Sequence, residues 1–136
     1  MTDGPHILLI DDDGDIHDAV RMILEPRGYV LSCCRTGPEG MMAVRNDPPD
    51  LVLLDIMLST PTEGFHLAYE LQRDDVLREI PIVMLSAISE KTGINFAAET
   101  GTEYIPAAAF VCKPFDAQTL IEAVETALLR RAEARR

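Results

Sequence analysis

Basic side chains are scarce in this chain. Against 23 Asp and Glu stand 12 Lys and Arg in 136 residues, giving a formal charge of −11 and a pI near 4.5. Nucleic-acid binding sets cations against phosphates, so direct nucleic-acid contact is not expected of this domain. Long apolar runs are also missing, and none approaches the roughly 20 residues that span a bilayer, so no membrane partner is expected. The N-terminus, Met1-Thr2-Asp3-Gly4-Pro5-His6, lacks the basic and apolar regions of a signal peptide. A cytoplasmic protein is therefore expected. Cysteine is limited to Cys33, Cys34 and Cys112. An odd count without CxxC spacing argues against a disulfide framework or a thiolate zinc site and predicts buried, reduced thiols. His6, His17 and His66 are scattered, and none is expected to be a ligand. No internal repeat, low-complexity segment or linker interrupts the chain, which is long enough for one domain with a core and too short for two.

What the chain does have is short apolar runs that end in polar residues. Leu51-Val52-Leu53-Leu54 runs straight into Asp55. An uninterrupted apolar run has no half-polar face, so it reads as a parallel strand buried on both sides. Asp55 then falls at the carboxyl edge of a sheet, where α/β proteins place their chemistry. The alternative for Asp55 alone is a loop aspartate that caps the next helix. Ile7-Leu8-Leu9-Ile10 is a second such run, followed by Asp11-Asp12-Asp13-Gly14-Asp15. A helix starts near Asp15, carried by Ile16, Val20, Ile23 and Leu24, and is ended by Pro26 and Gly28. Tyr29 to Cys34 reads as strand 2. Thr36-Gly37-Pro38 opens a second helix that ends before Asn46. Phe65, Ala68, Tyr69 and Leu71 mark a third helix. Pro81 to Ser86 is strand 4.

Residues 89–108 are the least legible; a helix is expected over part of them, ending near Gly101. Phe110 to Cys112 is a short strand 5, followed by Lys113-Pro114. Asp116 is the expected cap of a C-terminal helix with a stripe of Leu120, Ile121, Val124 and Leu128. Arg130, Arg131, Arg135 and Arg136 read as a solvated helix end whose charge suits the helix dipole. Five apolar strands alternating with helices predict an α/β, doubly wound parallel sheet.

Four of the five strands thus end in a reactive residue type: Asp11 and Asp12, Asp55, Ser86 and Lys113. A parallel sheet brings those ends to one edge, where they suit phosphoryl transfer. A carboxylate can attack phosphorus, and two more can hold a hard divalent cation. A hydroxyl and an ammonium can bind the oxygens of the transferred group.

In ILLIDDDGDI, LVLLDIML, IPIVMLSA and FVCKPF, taken in that order over residues 5 to about 130, the sequence resembles the receiver domain of bacterial two-component response regulators. The resemblance implies one receiver domain over 1–136 with strand order 2-1-3-4-5. It implies Asp55 as phosphoacceptor, taking its phosphoryl group from a sensor histidine kinase or a histidine phosphotransfer protein. Asp11 and Asp12 would hold Mg²⁺ (Mn²⁺ can substitute), Asp12 more directly and Asp11 partly through water. The Met57 backbone carbonyl would be the third protein ligand. Ser86 would move toward the phosphoryl group, Lys113 would pair with the acceptor and then with the phosphoryl group, and Phe110 would be the aromatic switch. The Lys113–Pro114 bond would be cis. Met57 and Ile88 would flank the path of hydrolytic water, and their bulk implies a long-lived phosphoprotein. Asp13 would cap or flank the first helix. On this reading the chain is a phosphoacceptor signalling domain and not an enzyme in the ordinary sense, though with Mg²⁺-dependent self-phosphorylation and dephosphorylation chemistry. Its output would be an unknown downstream protein. A homodimer could form through the helix before strand 5, strand 5 and the C-terminal helix.

The sequence departs from that family in two places. Ser59 and Glu63 stand where a proline and a glycine are usual, and the segment between Ser86 and Lys113 is lengthened. No output domain follows within the sequence, so either a single-domain regulator or an excised receiver is expected. Three rivals stand beside this reading. A haloacid-dehalogenase-type phosphatase would use Asp11-Asp12-Asp13-Gly14 but lacks the later acidic pair and leaves Asp55 without a role. A flavodoxin relative would need a hydroxyl-rich loop where this chain is acidic. A degenerate receiver would serve only as an interaction module.

Overall fold

The computed structural model describes residues 4–55, 63–86 and 109–134, with backbone alone at 63–65, 86, 110 and 132–134. Five strands, β1 (His6–Ile10), β2 (Val30–Cys34), β3 (Leu51–Asp55), β4 (Ile82–Ser86) and β5 (Ala109–Cys112), pair in parallel in the order β2-β1-β3-β4-β5. Four α-helices accompany them among the described residues: α1 (Gly14–Leu24), α2 (Gly37–Asn46), α3 (Glu63–Arg73) and α4 (Ala117–Ala134). The expected sheet and strand order are therefore present.

Side chains alternate across a strand, and here both faces are covered. Leu8, Ile10, Val52, Leu54, Ile82 and Met84 pack with Met41 and Val44 of α2 and Leu67, Ala68 and Leu71 of α3. Ile7, Leu9, Leu51, Leu53, Val83 and Leu85 pack with Val20 and Leu24 of α1 and Leu120, Ile121 and Val124 of α4. This is why residues 7–10 of β1, 51–54 of β3 and 82–85 of β4 are unbroken apolar runs: neither face meets water. Edge strand β2 is less covered; of its residues only Leu31 is buried. Gly40 shows how closely α2 lies on the sheet, since a Cβ there would run into the buried Ile10 side chain.

Local signals set the helix ends. Asp13 caps α1 by accepting the Asp15 N–H at 2.8 Å, and Thr36 caps α2 by accepting the Glu39 N–H at 3.2 Å. Asp116 accepts the Thr119 N–H at 2.7 Å at the start of α4. The α-helical part of α1 ends at Leu24; Pro26 sits in a 3-10 turn over Glu25–Arg27, and Gly28 closes it at φ 92°. That positive φ requires glycine on steric grounds. Helix α2 runs through Asn46, one residue past the expected end.

Two expectations fail on tertiary grounds. Arg131 is not part of a solvated helix end: it is 17% exposed, and its Nη1 donates to the Asp50 carbonyl at 3.0 Å and to Asp50 Oδ1 at 3.1 Å. Asp50 in turn accepts the His6 N–H at 2.7 Å, so the far end of α4 is tied to the base of β1 and β3. The cysteines are not fully buried either; Cys33 and Cys34 are half-buried on the edge strand, and Cys112 is exposed. The helix expected within 89–108 lies outside the described residues.

Candidate functional site

The site is assembled where the strands end. Strands β1 and β3 are paired with Ile10 beside Leu54, so Asp11 and Asp55 leave neighbouring strand ends. The chain crosses from β1 to β2 over one face and from β2 to β3 over the other. The sheet therefore opens between β1 and β3, the place where open α/β sheets bind ligands. Asp11 is fully buried and Asp55 is 6% exposed, whereas Asp12 is exposed. Carboxylate oxygens of the three lie within 4.8 Å of one another.

Lys113 follows β5 directly, and its Nζ reaches Asp11 Oδ2 at 2.8 Å and Asp55 Oδ1 at 3.7 Å. The lysine expected to pair with the acceptor thus lies closer to Asp11. The peptide bond to Pro114 is cis, as expected. Asp11 Oδ1 accepts the Asp13 N–H at 2.9 Å, so both oxygens of Asp11 are engaged. Three carboxylates against one ammonium leave a formal charge of minus two, which one divalent cation would cancel. All three donors are hard oxygens, the set that suits Mg²⁺.

Ser86 is placed by its backbone at the end of β4, in register with Cys112, and Phe110 lies in register with Met84. Met57 and Ile88 lie outside the described residues, as do Ser59 and most of the lengthened segment. The structure therefore brings together Asp11, Asp12, Asp55 and Lys113, and brings the Ser86 backbone to the same edge.

Sequence reasoning passed over two residues here. His17, set aside as a scattered histidine, places its Nε2 at 2.6 Å from the Asp11 carbonyl oxygen. A carbonyl has no proton to give, so that nitrogen is the donor. Arg35 directs Nη1 to the Asp12 carbonyl at 3.4 Å. The available signal was strand order: β2 lies beside β1, so the residue after β2 must flank the acidic loop. Beside the same loop, the Cys33 thiol is pushed up from its ordinary pKa by burial, against the opposing effect of Arg21. Burial also raises the Cys34 thiol. Neither is poised as a thiolate nucleophile.

A family profile described as response regulator receiver domain matches residues 7–125. The chain is 34% identical over 129 residues to the DNA-binding dual master transcriptional regulator RpaA of Synechocystis sp., covering 95% of this chain and 51% of that one. The crystal structure of the receiver domain of NtrX from Brucella abortus superposes with a TM-score of 0.75 at 33% identity, covering 90% of this chain and 97% of that one. A CheY-like response regulator receiver domain protein from Methanospirillum hungatei gives a TM-score of 0.81 at 25% identity, covering 96% and 98%. The chain spans about half the length of the curated relatives it matches.

Proposed function

The chain belongs to the response regulator receiver domain family, whose general function is phosphorylation-dependent switching in two-component signalling, and on that premise we propose that Asp55 is its phosphoacceptor. The observation that carries the assignment is the position of Asp55. It closes the central strand, nearly buried, beside two further carboxylates and an ammonium. An Asp55 oxygen attacks the phosphorus of a phosphohistidine on a sensor kinase or phosphotransfer protein. A P–O bond forms as the P–N bond breaks, and a proton returns to the released imidazole nitrogen. Lys113, already within reach of Asp55, binds an oxygen of the incoming group. The Ser86 hydroxyl binds another, and Phe110 follows it to remodel the surface that meets the output partner.

Asp11, Asp12 and Asp55 would hold Mg²⁺, or Mn²⁺ in its place, with the Met57 carbonyl. The ion would neutralise charge on the carboxylates and on the phosphoryl oxygens. The exposure of Asp12 and the engaged oxygens of Asp11 support Asp12 as the more direct ligand. With a small phosphodonor the same groups would perform self-phosphorylation, and hydrolysis of the product would be slow behind Met57 and Ile88. One receiver domain occupies 1–136. It acts on an adjoining or separate output partner without touching nucleic acid itself, and self-association would use the surface around β5. A cytoplasmic location fits this role; among the described residues no helix is long and apolar enough to cross a membrane. The test is labelling with radioactive acetyl phosphate and Mg²⁺. Wild type takes up one phosphoryl group and Asp55→Asn none, with the fold retained; undiminished Mg²⁺-dependent labelling of the variant sinks the assignment.

A further inference from the structure

We propose that His17 and Arg35 form a two-point clamp on the main chain of the acidic pair and thereby set the affinity of the site for its divalent cation. The proposal rests on the metal reading above and extends it to residues that touch no ligand atom. Asp11 and Asp12 can hold a cation only if the loop that carries them is fixed. That loop is held from four directions. The Asp11 N–H donates to the Cys34 carbonyl at 3.0 Å, the Asp13 N–H donates to Asp11 Oδ1 at 2.9 Å, His17 donates to the Asp11 carbonyl at 2.6 Å, and Arg35 donates to the Asp12 carbonyl at 3.4 Å. The first two belong to the strand end and to the loop itself. The last two are side chains on separate elements, α1 and the turn after β2, and they grip consecutive carbonyls.

Arg35 is itself held in place. Its N–H donates to Glu39 Oε1 at 3.1 Å, and the Glu39 N–H donates to the Thr36 hydroxyl at 3.2 Å, so the cap of α2 fixes the base of the arginine. Its guanidinium crosses the loop over Gly14, where an added Cβ would stand only 3.0 Å from Nη2. A bare glycine there leaves the crossing open. His17 and Arg35 are positioning residues: they act on Mg²⁺ through the backbone of its ligands.

The clamp and plain electrostatics predict opposite signs. Arg35 carries positive charge beside a cation site, so by charge alone its removal tightens Mg²⁺ binding. If it positions the ligands, its removal weakens binding. Calorimetric titration of the whole chain with MgCl₂ separates the two. The H17A/R35A variant is expected to bind Mg²⁺ about tenfold more weakly, as for groups that orient metal ligands elsewhere. H17Q/R35K restores a donor at each point and recovers most of the affinity. Gly14→Ala serves as a check that removes no side chain: it favours the helix but crowds the Arg35 guanidinium at Nη2, displacing it by a few tenths of an ångström where its Nη1 bond is already at 3.4 Å. It too is expected to weaken Mg²⁺ binding while preserving the fold. Unchanged or tighter binding in H17A/R35A and in Gly14→Ala overturns the clamp while leaving the metal site intact. If the wild type itself shows no Mg²⁺ binding, the metal reading falls, and the clamp with it.

Discussion

Replacing Lys113 with methionine removes the ammonium that compensates the buried carboxylates and keeps most of the apolar stem. At 2.8 Å from Asp11 and 3.7 Å from Asp55, that ammonium interacts with roughly 6 and 4.5 kcal/mol at an effective dielectric of about 20. Most of this is offset by taking the ions out of water, since Lys113 is 16% exposed and Asp11 not at all. What remains after deletion is an uncompensated buried Asp11 next to Asp55, the situation that costs about 3–5 kcal/mol in proteins. Residual solvent contact at Asp55 argues for the lower end, about 3 kcal/mol, or a Tm lower by about 10 °C. Urea unfolding at pH 7 without Mg²⁺ measures it, with an unchanged m-value showing that the native state is comparably compact. Saturating Mg²⁺ should narrow the gap between variant and wild type, because the cation takes over the compensation and binds only the folded site. A loss below about 1 kcal/mol would refute the reasoning, since it would place the pair in the range of exposed ion pairs.

Three further outcomes follow from the fold. Arg131→Ala should cost about 1.5 kcal/mol, the worth of charged hydrogen bonds to Asp50, and Arg131→Lys should recover less than half because the planar fork is lost; urea midpoints decide it. Gly40→Ala should destabilise by about 1–3 kcal/mol through the collision with Ile10, outweighing a helix-propensity gain of about 1 kcal/mol, and I10V in the same chain should restore part of the loss. Backbone N–H donors hold the Asp74 and Asp116 carboxyls below their ordinary 3.8. A depressed folded pKa contributes stability above the unfolded value that is lost as pH falls through the folded one. Asp116→Asn should therefore flatten the acid limb of the urea-midpoint profile below pH 3.8 without altering its slope near pH 7.

The legible parts of the fold were those that packing dictates locally. Strands β1, β3 and β4 could be read as bare apolar runs because both their faces are covered. Asp13, Thr36 and Asp116 marked helix starts because capping is a contact over two or three residues. The cluster of Asp11, Asp55 and Lys113 was legible because a parallel sheet collects strand ends at one edge. What escaped were side chains acting across the fold. Arg131 meets Asp50 from 81 positions away, so its charge looked like an ordinary helix end. Arg35 and His17 act on carbonyls; strand order brings Arg35 to the acidic loop, but no residue pattern shows which backbone atom either side chain meets. The Lys113 preference for Asp11 over Asp55 is a matter of distance within one cluster, below what order along the chain can resolve.

The most direct test is to find which atom carries the phosphoryl group. Wild-type protein phosphorylated by acetyl phosphate with Mg²⁺ is reduced with borohydride, which converts an aspartyl phosphate to homoserine, and is then mapped by peptide mass spectrometry. The account predicts homoserine at Asp55 and at no other aspartate, with none formed when Mg²⁺ is chelated. Homoserine at Asp11, or a chain left unmodified with Mg²⁺ present, would contradict it.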